Sequence, residues 1–237
     1  MDREGGFARL VKHLRPHGEV VTYDRRGYAR SVSATGDLDV DAHIDDLRTV
    51  LDDHPSIVIG HSFGGTVALA SSVRHPALVR GLVVYESPMS WEPWWSRDGG
   101  GSAAVEATTP EDAAEAFMRR FVGDERWDRL PQRTKDARRA EGRALRAETM
   151  SLRSGCPWAG SRIGRPLMSG AGGRSRDDFR RSARIVAESS VDGRMVVLAE
   201  AHHNAHSAHP EAFHERLVLP LIRRVETGVW PDGTVTE

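Results

Sequence analysis

Of all the residues in this 237-residue chain, Ser62 sits in the setting best suited to chemistry, inside Ile57-Val58-Ile59-Gly60-His61-Ser62-Phe63-Gly64-Gly65-Thr66-Val67-Ala68-Leu69-Ala70. A β-branched apolar run breaks into a glycine-bounded turn and resumes as a helix-forming run, so strand, tight turn and helix follow one another directly. A turn that sharp drives its central residue toward positive φ, which costs a side chain free energy. Gly60 and Gly64, which bracket Ser62, are read as the neighbours that keep clear of it. The hydroxyl then stands at the carboxyl end of a buried strand, and the amino end of the next helix faces any negative charge that develops beside it. A serine hydroxyl is a weak nucleophile near neutral pH and needs a base within hydrogen-bond reach, itself oriented by a third group. The chemistry expected of this turn is therefore acyl transfer through Ser62.

The base has to be sought far downstream, where Glu200-Ala201-His202-His203-Asn204-Ala205-His206-Ser207-Ala208-His209 supplies four imidazoles. His203, His206 and His209 recur every three residues, as ligands on a helical turn do. No cysteine and no clear carboxylate accompanies them, so a metal site is the lesser reading and the expected metal and cofactor content is none. Asp24 and Arg26 fall at a strand-to-loop corner and are read as a structural brace.

These side chains need a scaffold, and its elements follow from hydrophobic periodicity. Phe7, Leu10, Val11 and Leu14 share one face of a helix over Asp2 to Leu14, which Pro16-His17-Gly18 stops. Val20-Val21-Thr22-Tyr23 is expected to be a short buried strand, and Val40 to Leu51 a helix with Ile44, Leu47, Val50 and Leu51 inward. Leu82-Val83-Val84-Tyr85 forms another strand after the serine helix, ending at Glu86. Such alternation predicts an α/β fold, a mostly parallel sheet with helices on both faces. Ligands bind such sheets outside the carboxyl ends of the strands, where Asp24, Ser62 and Glu86 are all expected. From Met89 the pattern changes: Trp91, Trp94 and Trp95 crowd together, Ser96 to Ser102 reads as a loop, and Pro110 to Phe121 and Glu125 to Leu152 read as amphipathic helices. This insertion, about 89–160, is expected to form a helical lid. The sheet resumes weakly at Pro166 to Gly170, followed by a helix around Asp177 to Glu188, a strand Met195 to Leu198, and a last helix through Phe213, Leu217 and Leu221.

Composition sets the outer bounds. The length suits a single domain over 1–237. A formal net charge of −1 offers no field for nucleic acid or an anionic membrane, and the basic residues, all arginine except Lys12 and Lys135, are scattered. The single Cys156 excludes an internal disulfide and suits a reducing compartment. No apolar run approaches the roughly eighteen residues of a membrane span, and no signal peptide opens the chain. A soluble, cytoplasmic protein with a small-molecule substrate is expected, its oligomeric state left open.

Three stretches carry a family resemblance: Asp24-Arg25-Arg26-Gly27-Tyr28-Ala29-Arg30-Ser31, Gly60-His61-Ser62-Phe63-Gly64-Gly65, and His203 followed, with six residues between, by Pro210-Glu211-Ala212-Phe213. In these the chain resembles the α/β-hydrolase superfamily, in its lid-bearing esterase, lactonase and peroxidase-like branch, over nearly its whole length. The resemblance implies that His203 is the catalytic base, with His202 standing where the family usually has glycine. It places the acid in the loop after the penultimate strand, where Ser175 occupies the slot and Asp177 lies nearby, or at the strand tip held by Glu86. Asp177 opens a helix and has a capping duty to explain it, so Glu86 is preferred. Phe63 N–H is implied as one oxyanion-hole donor. The family's first strand and its His-Gly loop, source of the second donor, would precede the helix at Asp2, and the chain begins at Met1. The expected function is a serine hydrolase cleaving a small ester, lactone or related acyl compound through an acyl-enzyme on Ser62. The alternative is a catalytically impaired, hydrolase-like binding protein lacking part of its oxyanion hole.

Overall fold

The apolar runs either side of the Ser62 turn become adjacent strands in the computed structural model, which describes residues 4–234. Among those residues the sheet has four strands, β1 (Ser56–His61), β2 (Val79–Tyr85), β3 (Ile163–Gly172) and β4 (Ser190–Leu198), whose spatial order is their sequence order. Every pairing is parallel. His61 pairs with Tyr85, Tyr85 with Gly170, and Gly172 with Leu198. Because all four strands run the same way, the residues after His61, Tyr85, Gly172 and Leu198 emerge at one end of the sheet.

Parallel neighbours require crossovers, and helices supply them. The helices are α1 (Ala8–Leu14), α2 (Val40–Leu51), α3 (Phe63–Arg74), α4 (Gly100–Glu106), α5 (Pro110–Val122), α6 (Asp124–Asp128), α7 (Gln132–Arg139), α8 (Gly142–Ser154), α9 (Asp177–Glu188), α10 (Ala205–Ala208), α11 (Pro210–Phe213) and α12 (Leu219–Thr227). A π-helical turn, His214–Val218, joins the last two. The chain divides into two compact units between which it passes more than once, one of the crossings falling inside α2 between His43 and Ile44.

The sheet unit takes in Glu4–Thr22, Ile44–Met89 and the chain from Pro157 onward. Val83 and Tyr85 of β2, Met168 of β3, and Val196 and Leu198 of β4 form one buried cluster with Leu10, Phe213, Leu217 and Leu221. Each such side chain withdrawn from water contributes about 1.5–3 kcal/mol. Ala171 and Met195 meet Ala183 and Ala187 of α9 in a second cluster. Helix α3 is buried nearly all round, from Gly65 through Ser72, which explains why its sequence has no polar face.

The helical unit comprises Tyr23–His43 and Ser90–Cys156. The Glu148 carboxylate is buried in it, bound by Arg25, by the Tyr28 hydroxyl at 2.8 Å and by His43 Nε2 at 2.9 Å. Burial alone would raise the Glu148 pKa, but the Arg25 charge and the His43 hydrogen bond outweigh it and bring the value down to about 2. Asp24 and Arg26 brace this unit separately, Asp24 to Arg30 at 3.0 Å and Arg26 to the Asp37 carbonyl at 3.0 Å. Trp94 and Trp95 meet ring to ring at 6.0 Å.

Several expectations need correction. Val20–Tyr23 joins no strand ladder; Val21 is 64% exposed, so it gains none of the half-buried packing that favours β-branched residues in sheets. As a result Asp24 follows no strand. The supposed loop Ser96–Ser102 already contains the start of α4, where Gly100 packs so tightly on Phe117 that a Cβ would lie 2.9 Å from its ring. Glu125–Leu152 is three helices rather than one, broken around Pro131 and again before Gly142, whose Cα faces the Pro110 carbonyl. The strands are longer than hydrophobicity suggested, β3 starting at Ile163 and β4 at Ser190. Asp2, the expected start of the first helix, lies outside the described residues.

Candidate active site

Ser62 occupies the single position between β1 and α3, at φ 52° and ψ −126°. A non-glycine residue there costs on the order of 1–3 kcal/mol, and local hydrogen bonds offset it. Ser62 N–H donates to the Tyr85 carbonyl at 2.8 Å, while the Ser62 carbonyl accepts from Gly65 N–H at 2.9 Å. The steric demand on glycine falls differently from the sequence expectation. A Cβ on Gly60 would lie 2.5 Å from the Gly64 carbonyl oxygen, and one on Gly65 would lie 2.1 Å from the Ser87 hydroxyl. Gly64 has open space around its missing Cβ. The crowding arises because α3 turns straight back along β1, pressing Gly65 onto β2's exit and Gly64 onto Gly60. Phe63 heads α3, so its N–H is the first to point along the helix axis beside Ser62.

Glu86 is the residue after β2 and also has positive φ, 50°. Its N–H donates to the Gly170 carbonyl at 2.9 Å, which turns the side chain inward. The carboxylate is buried, and its two oxygens divide their work. Oε1 accepts from Gly172 N–H at 2.7 Å, and Oε2 meets His203 Nδ1 at 2.6 Å. Burial by itself would raise the Glu86 pKa. The hydrogen bond and charge of His203, with the Ser175 hydroxyl and Gly172 N–H, outweigh it and hold the carboxyl below its ordinary range. A short contact of this kind between an anion and a ring N–H is the strong type of hydrogen bond.

His203 lies in the loop between β4 and α10, with its side chain 21% exposed. Phe179 of α9 stands 4.9 Å from its ring and His61 4.4 Å, centroid to centroid. His206 is buried, stacked on Phe7 at 4.5 Å and tilted against His61 at 4.4 Å between centroids. His202 is exposed and contributes its carbonyl, to which Tyr85 Oη donates at 3.2 Å. Among the described residues no group of three or more His, Cys, Asp or Glu side chains is gathered so as to hold a metal ion.

Of the two carboxylates considered, the fold brings Glu86 to His203 and leaves Asp177 at the surface. Asp177 is 92% exposed and pairs with Arg180. It is the first residue of α9 rather than its cap, which is Arg176. Ser175 stands in the loop after β3, next to Gly172 and close to Glu86, so a hydroxyl fills the place from which an aspartate would approach. Sequence reasoning gave no role to His61 or Tyr85. Their only signal was position, as the last residues of two strands.

A model of the alpha/beta hydrolase family matches residues 4–216. The uncharacterized hydrolase YraK of Bacillus subtilis is 35% identical over 85 residues, 34% of this chain and 31% of that protein. Lipase LipV of Mycobacterium tuberculosis is 37% identical over 81 residues, 33% of this chain and 30% of that protein. The chain therefore spans about a third of the length of these curated relatives. A solved thermophilic esterase from Thermogutta terrifontis superposes with a TM-score of 0.71 at 17% identity, covering 94% of this chain and 86% of that one. At that identity the likeness speaks to the fold.

Proposed function

The chain belongs to the alpha/beta hydrolase family, and from that premise we propose that it is a serine hydrolase cleaving a small ester, lactone or related acyl compound through an acyl-enzyme on Ser62. The observation that carries the reading is the 2.6 Å contact between His203 Nδ1 and the buried Glu86 carboxylate, on loops leaving the same end of the sheet as Ser62. A carboxylate on Nδ1 fixes the imidazole tautomer and stabilises the imidazolium, so Nε2 is the nitrogen that exchanges protons.

In this mechanism Ser62 Oγ attacks the acyl carbon as His203 Nε2 takes its proton. The tetrahedral oxyanion faces Phe63 N–H at the head of α3, a donor of a kind worth roughly 10²–10³ in turnover. Collapse breaks the acyl–oxygen bond, and the leaving alkoxide takes the proton back from His203. A water molecule then gives a proton to His203 and attacks the acyl-enzyme; Ser62 recovers its proton as the carboxylic acid departs. In a lactone the alcohol and acid remain one molecule. Incubation with a fluorophosphonate probe tests the reading. Stoichiometric labelling that Ser62→Ala abolishes is expected, and labelling that survives in Ser62→Ala, or none in the parent protein, overturns it.

A further inference from the structure

The residues that end β1 and β2 reach across to the histidine loop. His61 Nε2 donates to the His203 carbonyl at 2.8 Å, and the Tyr85 hydroxyl donates to the preceding carbonyl, that of His202, at 3.2 Å. His61 and Tyr85 are themselves partners in the β1–β2 register, and Ser62 N–H closes on the Tyr85 carbonyl at 2.8 Å. The chain neighbour of Ser62 therefore holds one carbonyl of the loop, and the chain neighbour of Glu86 holds the next.

We infer that His61 and Tyr85 are positioning residues, a two-point latch that sets the His203 backbone against the two strand tips from which Ser62 and Glu86 emerge. One hydrogen bond would leave the loop able to pivot about it. A second, on the adjacent carbonyl, stops that rotation, and the Phe179 and His61 rings beside the imidazole confine it further. Both donors are buried, so releasing the loop would leave polar groups unsatisfied, which opposes opening. His61 has to carry its hydrogen on Nε2 to donate to a carbonyl. Burial, and secondarily the Glu86 charge, push the Tyr85 phenol far above its ordinary pKa, so it stays a donor across the working range.

The kinetic consequence rests on the hydrolase reading, whereas the structural consequence does not. With p-nitrophenyl acetate as substrate, His61→Leu is expected to lower kcat about 10²-fold with KM nearly unchanged, the order expected of a 1 Å misplacement. Tyr85→Phe, which removes one oxygen and keeps the packing, should lower kcat several-fold. His61→Gln retains an N–H near the same place and should recover at least tenfold of the loss. Independently of turnover, the far-downfield proton resonance of the His203–Glu86 bond should persist in the parent protein and His61→Gln. In His61→Leu it should broaden or vanish, and amide exchange over residues 201–204 should quicken there and in Tyr85→Phe.

An unchanged resonance and unchanged exchange in both His61→Leu and Tyr85→Phe overturn the latch, as does a His61→Gln variant no better than His61→Leu. Should His61→Leu fail to fold, Tyr85→Phe alone decides through its exchange rates. If the parent protein shows no Ser62 labelling, the hydrolase reading fails, and the resonance and exchange measurements still decide the latch.

Discussion

Glu86 and His203 lie 117 positions apart in sequence and 2.6 Å apart in space. What Glu86 does for the imidazole depends on its charge as well as its shape, so an isosteric amide separates the two. Glu86→Gln should lower kcat by about 10³–10⁴, the order seen when a triad acid elsewhere is replaced by its amide. Asp177→Asn, at a solvent-facing site paired with Arg180, should leave kcat within about twofold. Steady-state rates of the two variants on one aryl ester make the comparison. Equal effects would show that the carboxylate buried behind His203 is not the one that matters.

The turn at Ser62 belongs to the scale of elements, because its geometry comes from how α3 folds back on β1. Gly60→Ala drives a Cβ into the Gly64 carbonyl at 2.5 Å, a backbone atom that cannot step aside, and should destabilise by about 2–4 kcal/mol. Gly64→Ala meets open space within a helix, and should be neutral or stabilise by up to about 1 kcal/mol. Urea unfolding of both variants checks the contrast, and the reverse order would refute the crowding described for the turn. Two neighbouring strand ends also give the site two routes for its acid, from β2's tip or from the loop after β3 where Ser175 stands. If the role belongs to whichever carboxylate reaches Nδ1, then Glu86→Ala with Ser175→Asp should recover at least tenfold of the activity that Glu86→Ala alone loses. No recovery would mean that the loop after β3 cannot deliver a carboxylate in this chain.

At the scale of the whole molecule, stability depends on buried charge as well as on apolar clusters, and Glu148 is where the two meet. Its folded-state pKa of about 2 lies below the ordinary 4.5, so its contribution is fully present above about pH 4.5 and fades as pH falls toward 2. Glu148→Gln leaves Arg25 buried opposite a neutral group and should cost about 3–5 kcal/mol at pH 7. Urea unfolding from pH 7 down to pH 3 should show a steep acid loss in the parent protein and a flatter one in the variant; parallel slopes would assign the acid sensitivity to other groups. Much of the fold was legible beforehand because its signals are local. The 3.6-residue spacing of Ile44, Leu47 and Leu51 determined α2, the apolar run before Gly60 determined β1, and the same local logic marked α3 and α9. Glu86, His203, Ser62 and Phe63 could be nominated from motif and position. The meeting of Glu86 with His203 could not be, since it needs the β2–β3 register to bring Glu86 beside Gly172 and the β4 loop to return across both. For the same reason only the tertiary structure decided that Val20–Tyr23 stays out of the ladder, that Gly65 rather than Gly64 bears the crowding, and that His61 and Tyr85 hold the histidine loop. Periodicity and turn sterics act within a few residues, whereas register, burial and long-range hydrogen bonds exist only once distant segments are packed together.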